Sequence, residues 1–126
     1  MSVETTRQLH PTWEKAFNDG EIEALVALYE PEATLIPQPG SSPVTGHAAI
    51  REALGQLLGL KAQIQLRTAA VVESGDIALI YGEWAMTGGA DPDGNRVEME
   101  ARSTEIMRRQ ADGSWLYILD DPFSRG

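Results

Sequence analysis

Residues 13–40, WEKAFNDGEIEALVALYEPEATLIPQPG, decide the fold class of this chain. Two short amphipathic helices meet at Asn18-Asp19-Gly20, and Tyr29-Glu30-Pro31 then leads into a strand. Leu9, Trp13, Ala16 and Phe17 fall on one helical face. Pro11 interrupts that pattern, because proline clashes with the carbonyl four residues earlier, so the first helix kinks or begins there. The Asn-Asp-Gly break ends it, and Asp19 is placed to cap the next helix. Ile22, Leu25, Val26, Leu28 and Tyr29 form the apolar stripe of that second helix, which Pro31 terminates.

Beyond this stretch, 33–37 reads as a short strand. The segment QPGSSPVTG, 38–46, has the composition of a loop and is expected to border the mouth of any cavity, with Thr45 capping a third helix. That helix buries Ile50, Ala53, Leu54, Leu57 and Leu58. The rest reads as strands at roughly 62–73, 76–88, 96–109 and 114–121, punctuated by turn signals at 73–76, 91–94 and 111–113. The order is ααβαββββ. Helices gathered early and a meander late predict an α+β domain occupying residues 1–126, with a mostly antiparallel sheet.

Turn chemistry extends this to side-chain faces. If Asp91-Pro92-Asp93-Gly94 closes one hairpin, Trp84 stands opposite Ala101. Ile80, Gly82, Trp84 and Met86 then share a face with Met99, Ala101, Ser103 and Glu105. Ala111-Asp112-Gly113 is a three-residue loop with glycine where a left-handed residue is wanted. Its register sets Ser103 opposite Asp121 and adds Trp115, Tyr117, Leu119 and Asp121 to the same face. A two-residue loop would put Asp120 there instead. The opposite face carries Tyr81, Glu83, Glu98, Glu100, Arg102 and Thr104, a polar surface with an interspersed aromatic that can be solvated or meet a second subunit.

Composition bounds the function. No apolar run is long enough to span a bilayer, and the start MSVETTRQLHPTW lacks the basic and apolar regions of a secretory signal. The expected location is therefore cytoplasmic. A chain without cysteine has no thiolate nucleophile, thiolate metal site or disulfide. The net charge of −9 argues against nucleic acid as a partner, since such binders rely on clustered Lys and Arg. His10 and His47 are far apart and read as surface or capping residues, so neither a metal site nor a cofactor is expected. The apolar face instead carries the candidates for chemistry. Asp121 and Glu105 are carboxyls set among apolar neighbours, where desolvation raises a carboxyl pKa toward general acid–base use. Structural alternatives are a water-exposed Asp121 and a Glu105 paired with Arg108. Trp13, Phe17, Tyr29, Gln38, Trp84, Met99, Ser103 and Tyr117 are the candidate ligand contacts, although such aromatics also serve as plain core.

Four segments, AFNDGEIEALVALYEPEATLIP, TGHAAIREAL, GDIALIYGEW and RSTEIMRRQADGSWLYILDDPF, in this order and spacing, resemble the SnoaL-like, or nuclear transport factor 2-like, superfamily. The likeness runs from Trp13 to Phe123 and is closest to small bacterial proteins related to SgcJ and EcaC. It implies a cone in which a strongly curved sheet wraps three helices around an apolar pocket, usually in a homodimer. Ketosteroid isomerase is a distant member. In an ungapped match its helix-1 tyrosine falls on Trp13, its catalytic base on Pro37 and its second acid near Glu105. Neither Trp13 nor Pro37 supplies the isomerase chemistry. The resulting expectation is a small-molecule-binding domain with isomerase- or cyclase-type acid–base chemistry on a small apolar substrate. The alternative is a non-catalytic ligand-binding or dimerisation module.

Overall fold

The computed structural model describes residues 3–125. After a 3-10 turn at Thr6–Gln8 come α1 (Leu9–Asn18), α2 (Ile22–Val26), β1 (Tyr29–Leu35), β2 (Val44–Thr45) and α3 (His47–Leu58). Four long strands follow: β3 (Gln63–Ser74), β4 (Ile77–Gly88), β5 (Val97–Arg109) and β6 (Trp115–Arg125). They form one six-stranded sheet in the order β2-β1-β6-β5-β4-β3. Only the β1–β6 pair is parallel. The sheet is curved and unclosed, and the helices pack on its inner face. The expected α+β class and cone architecture hold. Among the described residues no helix is long and apolar enough to cross a membrane.

Local chemistry explains the element ends. Pro11 lies in the first turn of α1, where backbone N–H groups have no intrahelical acceptor to lose, so it starts the helix without breaking it. Gly20, at φ +72°, ends α1, with Glu21 N–H donating to the Ala16 carbonyl at 2.9 Å in the manner of a Schellman close. Asp19 is the C-cap of α1, and Glu21 stands at the N-cap of α2. Thr45 does not cap α3. It pairs with Thr34 in β2, and Gly46 holds the N-cap at φ +96°.

The second helix is shorter than its apolar stripe predicts. It stops at Val26, and Tyr29 opens β1. Proline at 31 disfavours helical backbone at Glu30, and the Leu28 carbonyl accepts from Tyr117 N–H at 2.9 Å, which draws the chain into the sheet. Pro31 is tolerated inside β1 because the ladder to β6 is interrupted between Tyr29 and Thr34.

The two late hairpins part company. In β4–β5 the ladder runs without a shift from Gly88↔Val97 to Ile77↔Arg108, with Trp84 opposite Ala101 as the turn requires. In β5–β6 the three-residue loop forms as expected: Gln110 N–H donates to the Ser114 carbonyl, and Gly113 takes φ +88°. Met107 then faces Tyr117, the predicted register. One step on, Ile106 faces Leu119, so Ile118 is an extra residue. This β-bulge moves Leu119, Asp120 and Asp121 by one position, and a second shift follows between Thr104 and Arg102.

Candidate functional site

Between the inner sheet face, α1 and α3 the fold encloses a cavity of about 720 Å³. That is a volume suited to a small organic molecule. Segments 37–39 and 90–92 and the end of α3 contribute to the lining of the cavity. Most of the wall is aliphatic and aromatic, including Leu35, Leu54, Leu57, Ile64, Trp84 and Met86. Two polar clusters break it, one centred on Asp120 and the other on Glu105.

Asp120 reaches the cavity wall from β6 and is only 5 % exposed. The Tyr29 hydroxyl donates to its Oδ2 at 2.6 Å, and Trp13 Nε1 donates to the Tyr29 oxygen at 3.1 Å. An indole N–H only donates, so the Trp13→Tyr29→Asp120 direction is set. Burial pushes the Asp120 carboxyl well above the usual carboxylate range, and the neighbouring Glu105 charge pushes it further. The Tyr29 hydrogen bond opposes this without cancelling it, and Asp121 adds a smaller push upward. Burial likewise raises the Tyr29 and Tyr117 phenols, which therefore stay protonated.

Glu105 stands directly opposite Asp120 on β5 and is 3 % exposed. Cross-strand neighbours of this kind have Cβ atoms roughly 5 Å apart. Glu105 does not pair with Arg108, which instead forms a two-pronged contact with Glu30 at 2.9 Å per bond. Its partner is His10, whose Nε2 lies 2.5 Å from Glu105 Oε1 and whose Nδ1 lies 2.8 Å from Thr68 Oγ1. His10 is 1 % exposed, so it is neither a surface nor a capping residue. Its position follows from α1: His10, Trp13 and Phe17 are spaced three and four apart and share the inward face. That spacing was visible in the sequence. His47, half-buried, sets its Nε2 2.8 Å from the Tyr29 carbonyl and stays outside the cavity wall.

Of the expected site residues, Glu105, Trp13, Gln38, Trp84, Met99, Ser103 and Tyr117 border the cavity. Phe17 and Tyr29 do not: Phe17 stacks on Trp13 with ring centres 5.1 Å apart, and Tyr29 lies behind Asp120. Asp121 is the substantive correction. It faces Thr104 rather than Ser103, lies off the cavity wall and accepts from Phe123 N–H at 3.2 Å. The Ile118 bulge is the reason, because it turns Asp120 inward in its place. Among the described residues no group of three or more His, Asp or Glu side chains is arranged to hold a metal ion.

Comparisons with known proteins agree with this architecture. A candidate dehydratase of the NTF2-like family from Streptomyces avermitilis superposes with a TM-score of 0.72 at 19% identity, covering 88% of this chain and 87% of that one. A candidate calcium/calmodulin dependent protein kinase II association domain from Xanthomonas campestris gives 0.71 at 23% identity, over 92% and 84%. SalBIII, an epoxide hydrolase/cyclase-like enzyme of pyran ring formation in the polyether salinomycin, gives 0.68 at 19% identity, over 92% and 87%. No curated protein sequence matches the chain. The family model described as SnoaL-like domain matches residues 12–118, and the chain belongs to that family.

Proposed function

We propose that the cavity takes up a small, largely apolar molecule and moves a proton on it, with Asp120 as the acid and Glu105, backed by His10, as the base. The observation that carries this reading is the side-by-side placement of two buried carboxyls in unlike surroundings. Asp120 keeps its proton, while Glu105 has an imidazole that can take or return one. Neighbouring carboxyls with divergent environments are how one site serves both halves of acid–base chemistry. A dehydration or an epoxide opening needs such a pair, which is consistent with the names of two of the structural neighbours. Pro37 borders the cavity where the ketosteroid isomerase base is expected, and it has no proton to exchange, which speaks against that isomerisation.

A panel of small apolar hydroxyketones and epoxides tests the proposal, first by thermal shift and then by product analysis. Binding to the native state raises its stability by mass action. Turnover that is lost in Asp120→Asn and Glu105→Gln but kept in Asp121→Asn supports the enzyme. Binding without turnover leaves the non-catalytic alternative, and a folded chain that binds none of the panel removes the proposed substrate class. For the outer face, where half-buried Tyr81 and Glu83 lie beside Arg67 and Arg102, we propose a second copy of the chain. Sedimentation as a monomer at micromolar concentration would contradict it. A cytoplasmic setting fits both proposals.

A further inference from the structure

The inner face of β4 presents Ala78, Ile80, Gly82, Trp84 and Met86 in alternation, and only Gly82 lacks a side chain. No unusual backbone angle calls for glycine here, because Gly82 is not among the positive-φ positions. Space calls for it. A Cβ at this position would lie 2.5 Å from Ser103 Oγ and 2.8 Å from His10 Cε1, with His10 Nε2 at 3.3 Å. The imidazole therefore rests on bare backbone, a close approach that glycine alone permits. Thr68 is directly opposite Gly82 on β3, and Ser103 is directly opposite it on β5. The three make one row across the sheet beneath the ring.

We propose that Gly82 and Thr68 are positioning residues for the His10–Glu105 pair, Gly82 by leaving room for the ring and Thr68 by turning Nε2 rather than Nδ1 toward Glu105. The functional weight of this inference rests on the reading of Glu105 as the base. A threonine hydroxyl both donates and accepts, so it satisfies Nδ1 whether that nitrogen is bare or protonated. The ring can then exchange a proton through Nε2 without losing its other anchor. The titratable groups around the pair are Asp120 and Tyr117 from β6 and Tyr29 from β1, each held protonated by burial.

The chain has two histidines, so labelling imidazole nitrogens with ¹⁵N gives a spectrum that His47→Gln assigns. His47 also reports on the fold, through its contact with the Tyr29 carbonyl. The wild type is expected to show a far-downfield Nε2 proton from His10, the mark of a short hydrogen bond to Glu105. Gly82→Ala is expected to abolish that signal while the His47 resonances stay in place. Thr68→Val is expected to move the His10 Nδ1 resonance, and Thr68→Ser to restore it. A downfield proton unchanged in Gly82→Ala, or an Nδ1 resonance unmoved in Thr68→Val, overturns the proposal. Should Gly82→Ala fail to fold, the Thr68 pair decides. Turnover is not the readout, so a chain with these signals and no activity keeps the positioning roles and loses the base assignment.

Discussion

The β4–β5 and β5–β6 hairpins begin from equally clear turn signals and end differently. At β4–β5, Asp91 Oδ1 accepts from the N–H groups of Asp93 and Asn95, each at 2.9 Å, and the register set there persists along the whole ladder. At β5–β6 the turn is just as well formed, yet the register survives only to Met107↔Tyr117. The difference lies in the neighbours. Strand β4 pairs on its other side with β3 in an antiparallel ladder that carries a single shift, near its middle. Strand β6 pairs on its other side with β1, in parallel, where the chain between Tyr29 and Thr34 is out of step. Both partners of β6 change register at the same place, around Ile118. A turn controls a ladder only until a second partner imposes its own spacing, and here that decides which aspartate enters the cavity.

Gly89→Ala should show the largest effect in testing this contrast. A Cβ there would sit 1.9 Å from the Leu60 carbonyl oxygen, at a backbone φ of +58°. The end of β4 is also tied by Ala90 N–H donating to that same oxygen at 2.9 Å. We expect a loss of about 3 kcal/mol or more in urea denaturation, since neither backbone can yield cheaply. A loss under about 1 kcal/mol would mean that the β4–β5 connection is not anchored there.

Next in size is Tyr29→Phe, which strips Asp120 of its donor and Trp13 Nε1 of its acceptor. Leaving such buried groups unpaired costs about 1–3 kcal/mol. It should also raise the Asp120 titration further, because that hydrogen bond favours the ionised form. An Asp120 carbon resonance that titrates at lower pH in the variant would contradict the placement of Asp120 against Tyr29.

The pH dependence of stability sharpens the same point. Above the ordinary aspartate value near 3.8, the unfolded chain ionises at Asp120 while the folded chain keeps the proton. The folded state then binds more protons, so the contribution of Asp120 is fully present below that value. It falls as pH rises, and is lost once pH passes the raised folded value. Between the two values the wild type should lose up to about 1.4 kcal/mol per pH unit relative to Asp120→Asn. Asp121→Asn should retain this slope. If Asp121→Asn removed it and Asp120→Asn kept it, the bulge at Ile118 would be refuted.

The smallest effect belongs to the other turn. Gly113 has φ +88° and nothing near a Cβ, so Gly113→Ala costs only the left-handed backbone, about 1 kcal/mol. Near equality with Gly89→Ala would erase the distinction between an anchored turn and an open one.

Several features of the site could be read along the chain. The inward faces of β4 and β5 follow from alternation and one turn, so Trp84, Met99, Ser103 and Glu105 fall on the cavity side as expected. Trp13 follows from helical spacing, and His10 could have been taken from the same face. Tyr29 illustrates an override: its place in a helical stripe gave way to pairing with Tyr117, because Pro31 bars helix and the sheet offers partners. Asp120 stood only as the alternative that a two-residue loop would allow; what turns it inward is the bulge at Ile118, which no glycine or proline marks.

Local rules therefore settled the elements, their order and the turns, because each depends on the conformational preferences of a few consecutive residues. Four segments, by their order and spacing, pointed to the SnoaL-like family. Tertiary structure alone decided the pairings on which the proposed chemistry rests. His10 meets Glu105 across 95 positions, and Tyr29 meets Asp120 across 91. The first depends on the bare backbone at Gly82, and the second on one extra residue in β6. Those are properties of strands fitted against two neighbours at once, and no window of sequence contains both neighbours.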